Sequence, residues 1–255
     1  MRVTCNGYVV PDDDAWVYRY FGFQVICPAD IRQAIRDNPE GEELVLEINS
    51  GGGSVFDGFE MYSVLRGANI PTRAEIQSLA ASAASTIALG CDQVWISPVG
   101  QMMIHLPSTI TDGDRVAHKE SIKILDGITQ SILNGYELKV KGKRSREELS
   151  RMMASSTWMP AQEALDAGLV DGILYLDDDT TILPRNITNA AGGALRAVAG
   201  FSGLPDAAML RAEYQRRNPV SDSDTDPKDP TGEEPNHNMD SWQAKARLDI
   251  EKYRF

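Results

Sequence analysis

Three stretches of this 255-residue chain hold residue types that could carry acyl chemistry. In Leu79-Ala80-Ala81-Ser82-Ala83-Ala84 a hydroxyl stands among side chains too small to crowd it. The stretch follows a β-like run and opens an apolar helix, so Ser82 falls at a strand-to-helix junction, where a nucleophile is exposed. Met102-Met103-Ile104-His105 brings a histidine 23 positions later (105 − 82), a candidate general base. Acyl transfer also needs donors for the tetrahedral oxyanion. At a helix start the first amides lack intrahelical partners, which makes Ala83 N–H the natural first donor. Gly53, in Ser50-Gly51-Gly52-Gly53-Ser54, offers the second, because a missing side chain permits close approach. Each signal alone has an ordinary explanation: a packed small-residue helix, a structural histidine, a flexible turn. Ser54, Ser78 and Ser85 are competing hydroxyls, and Ser85, one turn beyond Ser82, reads as packed.

The elements that must position these groups alternate strand, loop and helix, the pattern of an α/β domain. Leu44–Asn49 reads as a buried strand ending in the glycine loop, and Val55–Arg66 as the helix that follows. Thr72–Gln77 is the strand before the small-residue helix Ser82–Gly90. Gln93–Ile96 and Gly100–Ile104 are the next strands, the second ending at His105. A long amphipathic helix starts at Asp112 or Asp114 and runs to about Leu138, with Val116, Ile122, Leu125, Ile128, Ile132 and Leu133 near helical spacing. Lys139–Arg144 breaks it, and Ser145 caps the next helix. Pro160 opens a helix that Gly168 ends, and Leu169–Leu174 closes the domain as a strand.

Composition narrows the function. Lys and Arg number 25 against 37 Asp and Glu, a net charge of −12, which argues against a nucleic-acid partner. No apolar run approaches the ~18–20 residues of a membrane span, and the N-terminal residues lack a signal-peptide core. Three cysteines without metal-like spacing suit a reducing cytoplasm, and only three histidines make a histidine zinc site improbable. No metal or other cofactor is expected. Residues 1–183 read as one domain, 184–220 as an Ala/Gly-rich linker with a short helix at Asp206–Arg217, 221–239 as an acidic disordered linker and 240–255 as a terminal amphipathic helix. The acidic linker reads as a solvating spacer or as a segment cut during maturation.

Taken together, Ile48-Asn49-Ser50-Gly51-Gly52-Gly53-Ser54-Val55, Leu79–Ala84, Met102–His105 and Glu163-Ala164-Leu165-Asp166-Ala167-Gly168-Leu169-Val170-Asp171 fall in the order and approximate spacing of the Clp protease (ClpP-like) serine peptidases. The resemblance covers about residues 1–176. The triple glycine, Ala-Ala-Ser-Ala-Ala and Thr157-Trp158-Met159 look most like the phage branch, the head maturation (prohead) proteases. The resemblance implies a ClpP/crotonase-type α/β spiral of repeated ββα units with a long protruding helix and a homo-oligomeric ring. It makes Ser82 the nucleophile, His105 the base, and the N–H groups of Gly53 and Ala83 the oxyanion hole. The implied function is a serine endopeptidase that forms an acyl-enzyme and processes capsid or scaffold proteins in the host cytoplasm and prohead, without nucleotide or metal.

One position departs from the pattern. Where the family places its acidic third member the chain has Ser156. The loss of that carboxylate removes imidazole orientation, which in a triad elsewhere costs about 10⁴ in turnover. Ser156 or water assisting a Ser-His dyad, another acid such as Asp171, or weak catalysis would each fit, although Asp171 suits a structural turn better. The alternatives in other classes are an inactive assembly or scaffold protein of the same fold and a crotonase-type acyl-CoA enzyme. A Ser-Lys pair is disfavoured, because no motif places Lys119 or Lys123 near Ser82.

Overall fold

In the computed structural model, described for residues 1–39, 41–176 and 204–218, strands and helices alternate along the chain. Two units form. One holds Met1–Asp12 and the described residues from Val25 to Leu176; the other holds Asp13–Gln24 with residues 204–218.

The first unit is built on an eight-stranded sheet. Its main path is β2 (Val25–Ile26), β1 (Arg2–Val9), β3 (Leu44–Gly53), β4 (Thr72–Ala81), β5 (Gln93–Ile96) and β8 (Gly172–Ile173), all parallel. β6 (Gln101–Ile104) pairs parallel with β4, and β7 (Thr157–Pro160) antiparallel with β6. This is the mixed α/β architecture the alternation of elements predicts, with helices α2 (Pro28–Asp37), α3 (Val55–Arg66) and α4 (Ala83–Leu89) among its crossovers. Leu44, Leu46, Ile48 and Ile76 are fully buried, as strands of a sheet covered on both faces must be.

β4 serves two partners in succession. Arg73–Ile76 pair with β5, whereas Leu79–Ala81 pair with β6. The β3–β4 register also shifts between Ile48 and Ser50. The half of β4 that leads into Ser82 thus lies beside the strand that leads into His105. Because these strands are parallel, their C-terminal ends share one end of the sheet, where open α/β sheets place their sites.

α5 (Arg115–Val140) has 26 residues and is about 39 Å long at ~1.5 Å per residue. Asp114 caps it, accepting hydrogen bonds from Val116 and Ala117 N–H. Ile132, Leu133, Tyr136 and Val140 bury its C-terminal half, while Val116, Ile122 and Ile124 nearer the N-terminus are exposed. Lys141, in the left-handed region at φ 49°, ends it. Ser145 caps α6 (Arg146–Ala154) through a reciprocal arrangement with Glu148. α7 (Ala161–Ala167) stops at Gly168, φ 80°.

The structure differs from the sequence expectation at several boundaries. β3 continues through the glycine run to Gly53, and β4 runs to Ala81 rather than Gln77, because each keeps a paired neighbour over those residues. The closing strand shrinks to Gly172–Ile173.

In the second unit, the remainder of α1 (Asp12–Tyr20) and α8 (Ala207–Arg217) pack through aromatic rings. Trp16 and Tyr20 meet Tyr214 edge-on at 5.0 and 4.8 Å. Tyr18 donates a hydrogen bond to the Pro205 carbonyl at 3.0 Å, and Arg211 pairs with Asp14. The Ala/Gly-rich stretch, the acidic linker and the terminal helix read from the sequence lie outside the described residues.

Candidate active site

Ser82 follows β4 directly and is the N-cap of α4. Its backbone sits at φ 56°, ψ −127°, a conformation that costs a non-glycine residue roughly 1–3 kcal/mol. Both sides of the residue are tied down. Its N–H donates to the Met103 carbonyl of β6 at 2.9 Å, and its carbonyl accepts from Ser85 N–H at 3.0 Å. The bend leaves Oγ 2.7 Å from Nε2 of His105, the first residue after β6. Behind His105, Leu106 N–H donates to the Met153 carbonyl of α6 at 3.2 Å and fixes the departing chain.

The small residues around Ser82 have a packing role as well. Ala80, Ala81, Ala83 and Ala84 are buried. A Cβ on Gly58 of α3 would stand only 3.1 Å from the Ala83 Cβ, so both helices need small residues where they cross.

Sequence reasoning gave the close approach in the glycine loop to Gly53. The structure shows two such approaches, Gly52 to the turn that carries Ser82 and Gly53 to β1. A Cβ at Gly52 would lie 2.6 Å from the Ala81 carbonyl, 2.7 Å from Ser82 Cβ and 2.8 Å from Ala83 N, and its φ is +90°. A Cβ at Gly53 would instead strike β1, 2.2 Å from the Val9 carbonyl. Gly52 N–H is already engaged by Ser50 Oγ at 3.1 Å, and Ser50 in turn donates to the Gly7 carbonyl at 2.6 Å. Ser50, fully buried, is thus a clamp on the loop that sequence reasoning missed. Its only signal was a hydroxyl heading the glycine run.

Ser82, His105 and Gly53 line a cleft of about 750 Å³. Leu79, Met103 and Trp158 form part of its wall, and Ile124, Leu125 and Ile128 of α5 another part. Apart from His105 and Asp112, the lining is uncharged among the described residues.

The antiparallel register sets Ile104 opposite Thr157 and Met103 opposite Trp158. The ladder ends there: Ser156 lies outside it in the left-handed region at φ 50°, its N–H donates to the Met153 carbonyl at 3.0 Å, and it is not part of the cleft lining. Asp171 is engaged elsewhere. Its carboxylate accepts from Val94 N–H at 2.7 Å and pairs with Lys139, and its own N–H donates to the Val94 carbonyl. That is the structural turn its sequence context suggests. Lys119 and Lys123 are not part of the cleft lining. The three cysteines are buried, and burial pushes each thiol up to about 12, which leaves them poor nucleophiles.

No helix among the described residues is long and apolar enough to cross a membrane. The Clp protease family model matches residues 34–176, a span that holds the glycine loop, Ser82, His105 and Ser156. The chain is similar to ATP-dependent Clp protease proteolytic subunit 1 of Chlamydia abortus, 34% identical over 151 residues, covering 56% of this chain and 74% of the relative. The subunit of the same name from Chlamydia trachomatis serovar D is 33% identical over 147 residues, with coverages of 56% and 74%. A proteolytic subunit from Ligilactobacillus salivarius is 27% identical over 139 residues, covering 52% and 68%. The match spans more than half of the chain and both strand ends that bring serine and histidine together, and the chain belongs to the Clp protease family of serine-type peptidases.

Proposed function

We propose that the protein is a serine endopeptidase in which Ser82 attacks and His105 is the general base. The observation that carries this is the 2.7 Å contact between Ser82 Oγ and His105 Nε2 in the wall of a cleft of about 750 Å³. His105 takes the Ser82 proton as Oγ adds to the scissile carbonyl carbon. The oxyanion so formed is held by Ala83 N–H and Gly53 N–H. Collapse breaks the C–N bond, and His105 passes its proton to the leaving amine. Water then adds to the acyl-enzyme with His105 again as base, releasing the acid and restoring Ser82. Ser156 takes the third position, its hydroxyl or a water orienting the imidazole. These steps require no metal or nucleotide.

The largely apolar lining favours segments with apolar side chains near the cut. Capsid or scaffold proteins of a tailed phage, cleaved in the host cytoplasm and prohead, are the proposed substrates. The Gly-Gly-Gly, Ala-Ala-Ser-Ala-Ala and Thr-Trp-Met signatures support this branch of the family. A homo-oligomeric ring is proposed as the working form, supported by relatives named as proteolytic subunits and by the apolar residues that α5 exposes. The missing carboxylate at Ser156 favours one second reading, an assembly protein of the same fold without catalysis.

Co-expression with capsid and scaffold proteins of a tailed phage, followed by mass-spectrometric mapping of products, tests the proposal. Discrete capsid fragments are expected with the wild type and none with Ser82→Ala. Intact capsid protein in both would overturn the substrate assignment.

A further inference from the structure

Behind the nucleophile runs a chain of hydrogen bonds whose side chains do not line the cleft. Tyr136, in the buried half of α5, is 2% exposed, and Ser85, in α4, is fully buried. Ser85 Oγ donates to the Ser82 carbonyl at 2.6 Å and lies 2.8 Å from the Tyr136 hydroxyl. A serine hydroxyl has one proton, and that of Ser85 is committed to the carbonyl, so Tyr136 is the donor to Ser85. The helix backbone supplies the same carbonyl with one short bond, from Ser85 N–H at 3.0 Å. Thr86 N–H, which an α-helix would direct at the Ser82 carbonyl, is 3.5 Å away.

The Ser82 carbonyl and the Ala83 N–H belong to one peptide unit, planar and trans. Fixing the direction of the carbonyl therefore fixes the direction of the N–H, which points the opposite way. The unit follows a backbone at ψ −127°, in a strained conformation that persists only if its surroundings over-determine it.

We propose that Tyr136, acting through Ser85, is a positioning residue for the oxyanion donor: by holding the Ser82 carbonyl, the pair aims Ala83 N–H at the point where the tetrahedral oxyanion forms. The proposal rests on Ser82 as nucleophile and Ala83 N–H as donor. Burial pushes the Tyr136 phenol up to about 12, so it remains a donor throughout the neutral range. α5 then contributes twice to the reaction. Ile124, Leu125 and Ile128 wall the cleft, and Tyr136, further along the same helix, orients the donor.

The test uses the full chain carrying Tyr136→Phe, Ser85→Ala or both, assayed on an activated peptide ester and with a peptide boronate that forms a tetrahedral adduct on Ser82. Orientation of a transition-state donor predicts a fall in kcat of about tenfold in each single variant, with KM and the pH midpoint of kcat unchanged. Boronate affinity should fall in parallel, and the double variant should lose no more than Ser85→Ala, since Tyr136 acts through Ser85. Tyr136→Phe keeps the ring and removes one oxygen, so it decides the matter if Ser85→Ala does not fold. A kcat for Tyr136→Phe within twofold of wild type, whatever its melting temperature, overturns the proposal, as do additive losses in the double variant. Activity that survives Ser82→Ala would instead remove the nucleophile assignment, and this proposal with it.

Discussion

Ser82 is held in a backbone conformation that few serines adopt, and its neighbours make that conformation possible. Gly52 presses against Ala81, Ser82 and Ala83 at distances no Cβ tolerates. Gly52→Ala should therefore destabilise the domain by about 1–3 kcal/mol and reduce turnover at least a hundredfold, because the added carbon must displace the elbow itself. Denaturant unfolding and ester hydrolysis measured together check this, and full activity in a folded variant would contradict it. The meeting of Ser82 and His105 was legible in the sequence from their residue types, small neighbours and order. The division of labour among Gly51, Gly52 and Gly53 was not. Three identical residues differ only in backbone angle, and φ +90° at Gly52 against +150° at Gly53 comes from pairing with β1. The link from Ser85 to Tyr136 was equally hidden, since the two are 51 positions apart and meet only when α5 packs on α4.

At the scale of elements, the site exists because β4 changes partners. Its first half pairs with β5 and its second half with β6, so two parallel strand ends deliver serine and histidine to one place. Asp171 works at this scale too, joining α5 to the β5 end through Lys139 and Val94. Asp171→Ala should lower stability by about 1–3 kcal/mol, because it leaves Val94 N–H and Lys139 without their carboxylate. Its acylation rate should stay within twofold of wild type. Stopped-flow acylation beside thermal unfolding separates the outcomes, and a collapse in rate without loss of stability would make Asp171 the missing acid. The boundaries of α3, the cap of α6 and the stop of α7 were legible, since apolar spacing, Ser145 and Gly168 mark them locally. β1, α1 and α2 were not. Arg2–Val9 mixes polar and apolar residues, and Asp12-Asp13-Asp14 looks like a solvated run. In the structure that run opens a helix, where carboxylates favour the N-terminal amides, and Asp12 also accepts from Ala29 N–H and pairs with Arg32 at 2.6 Å.

For the whole molecule, the matched family span and the site coincide, while residues 13–24 and 204–218 make a second packed unit around Tyr214. The helix at 207–217 was legible as a short helix, but its Asp206 cap and its aromatic partners were not, the partners coming from residues 13–24. The central claim concerns the larger unit: an assembled chain whose Ser82 is made nucleophilic by His105. The measurement that tests it most directly is peptide mapping of the full-length protein after treatment with a fluorophosphonate, in wild type, His105→Ala and Ser82→Ala. The account predicts a single adduct on Ser82, slowed at least a thousandfold in His105→Ala and absent in Ser82→Ala. An unlabelled Ser82 in the assembled wild type, or an adduct that forms equally fast without His105, would contradict it.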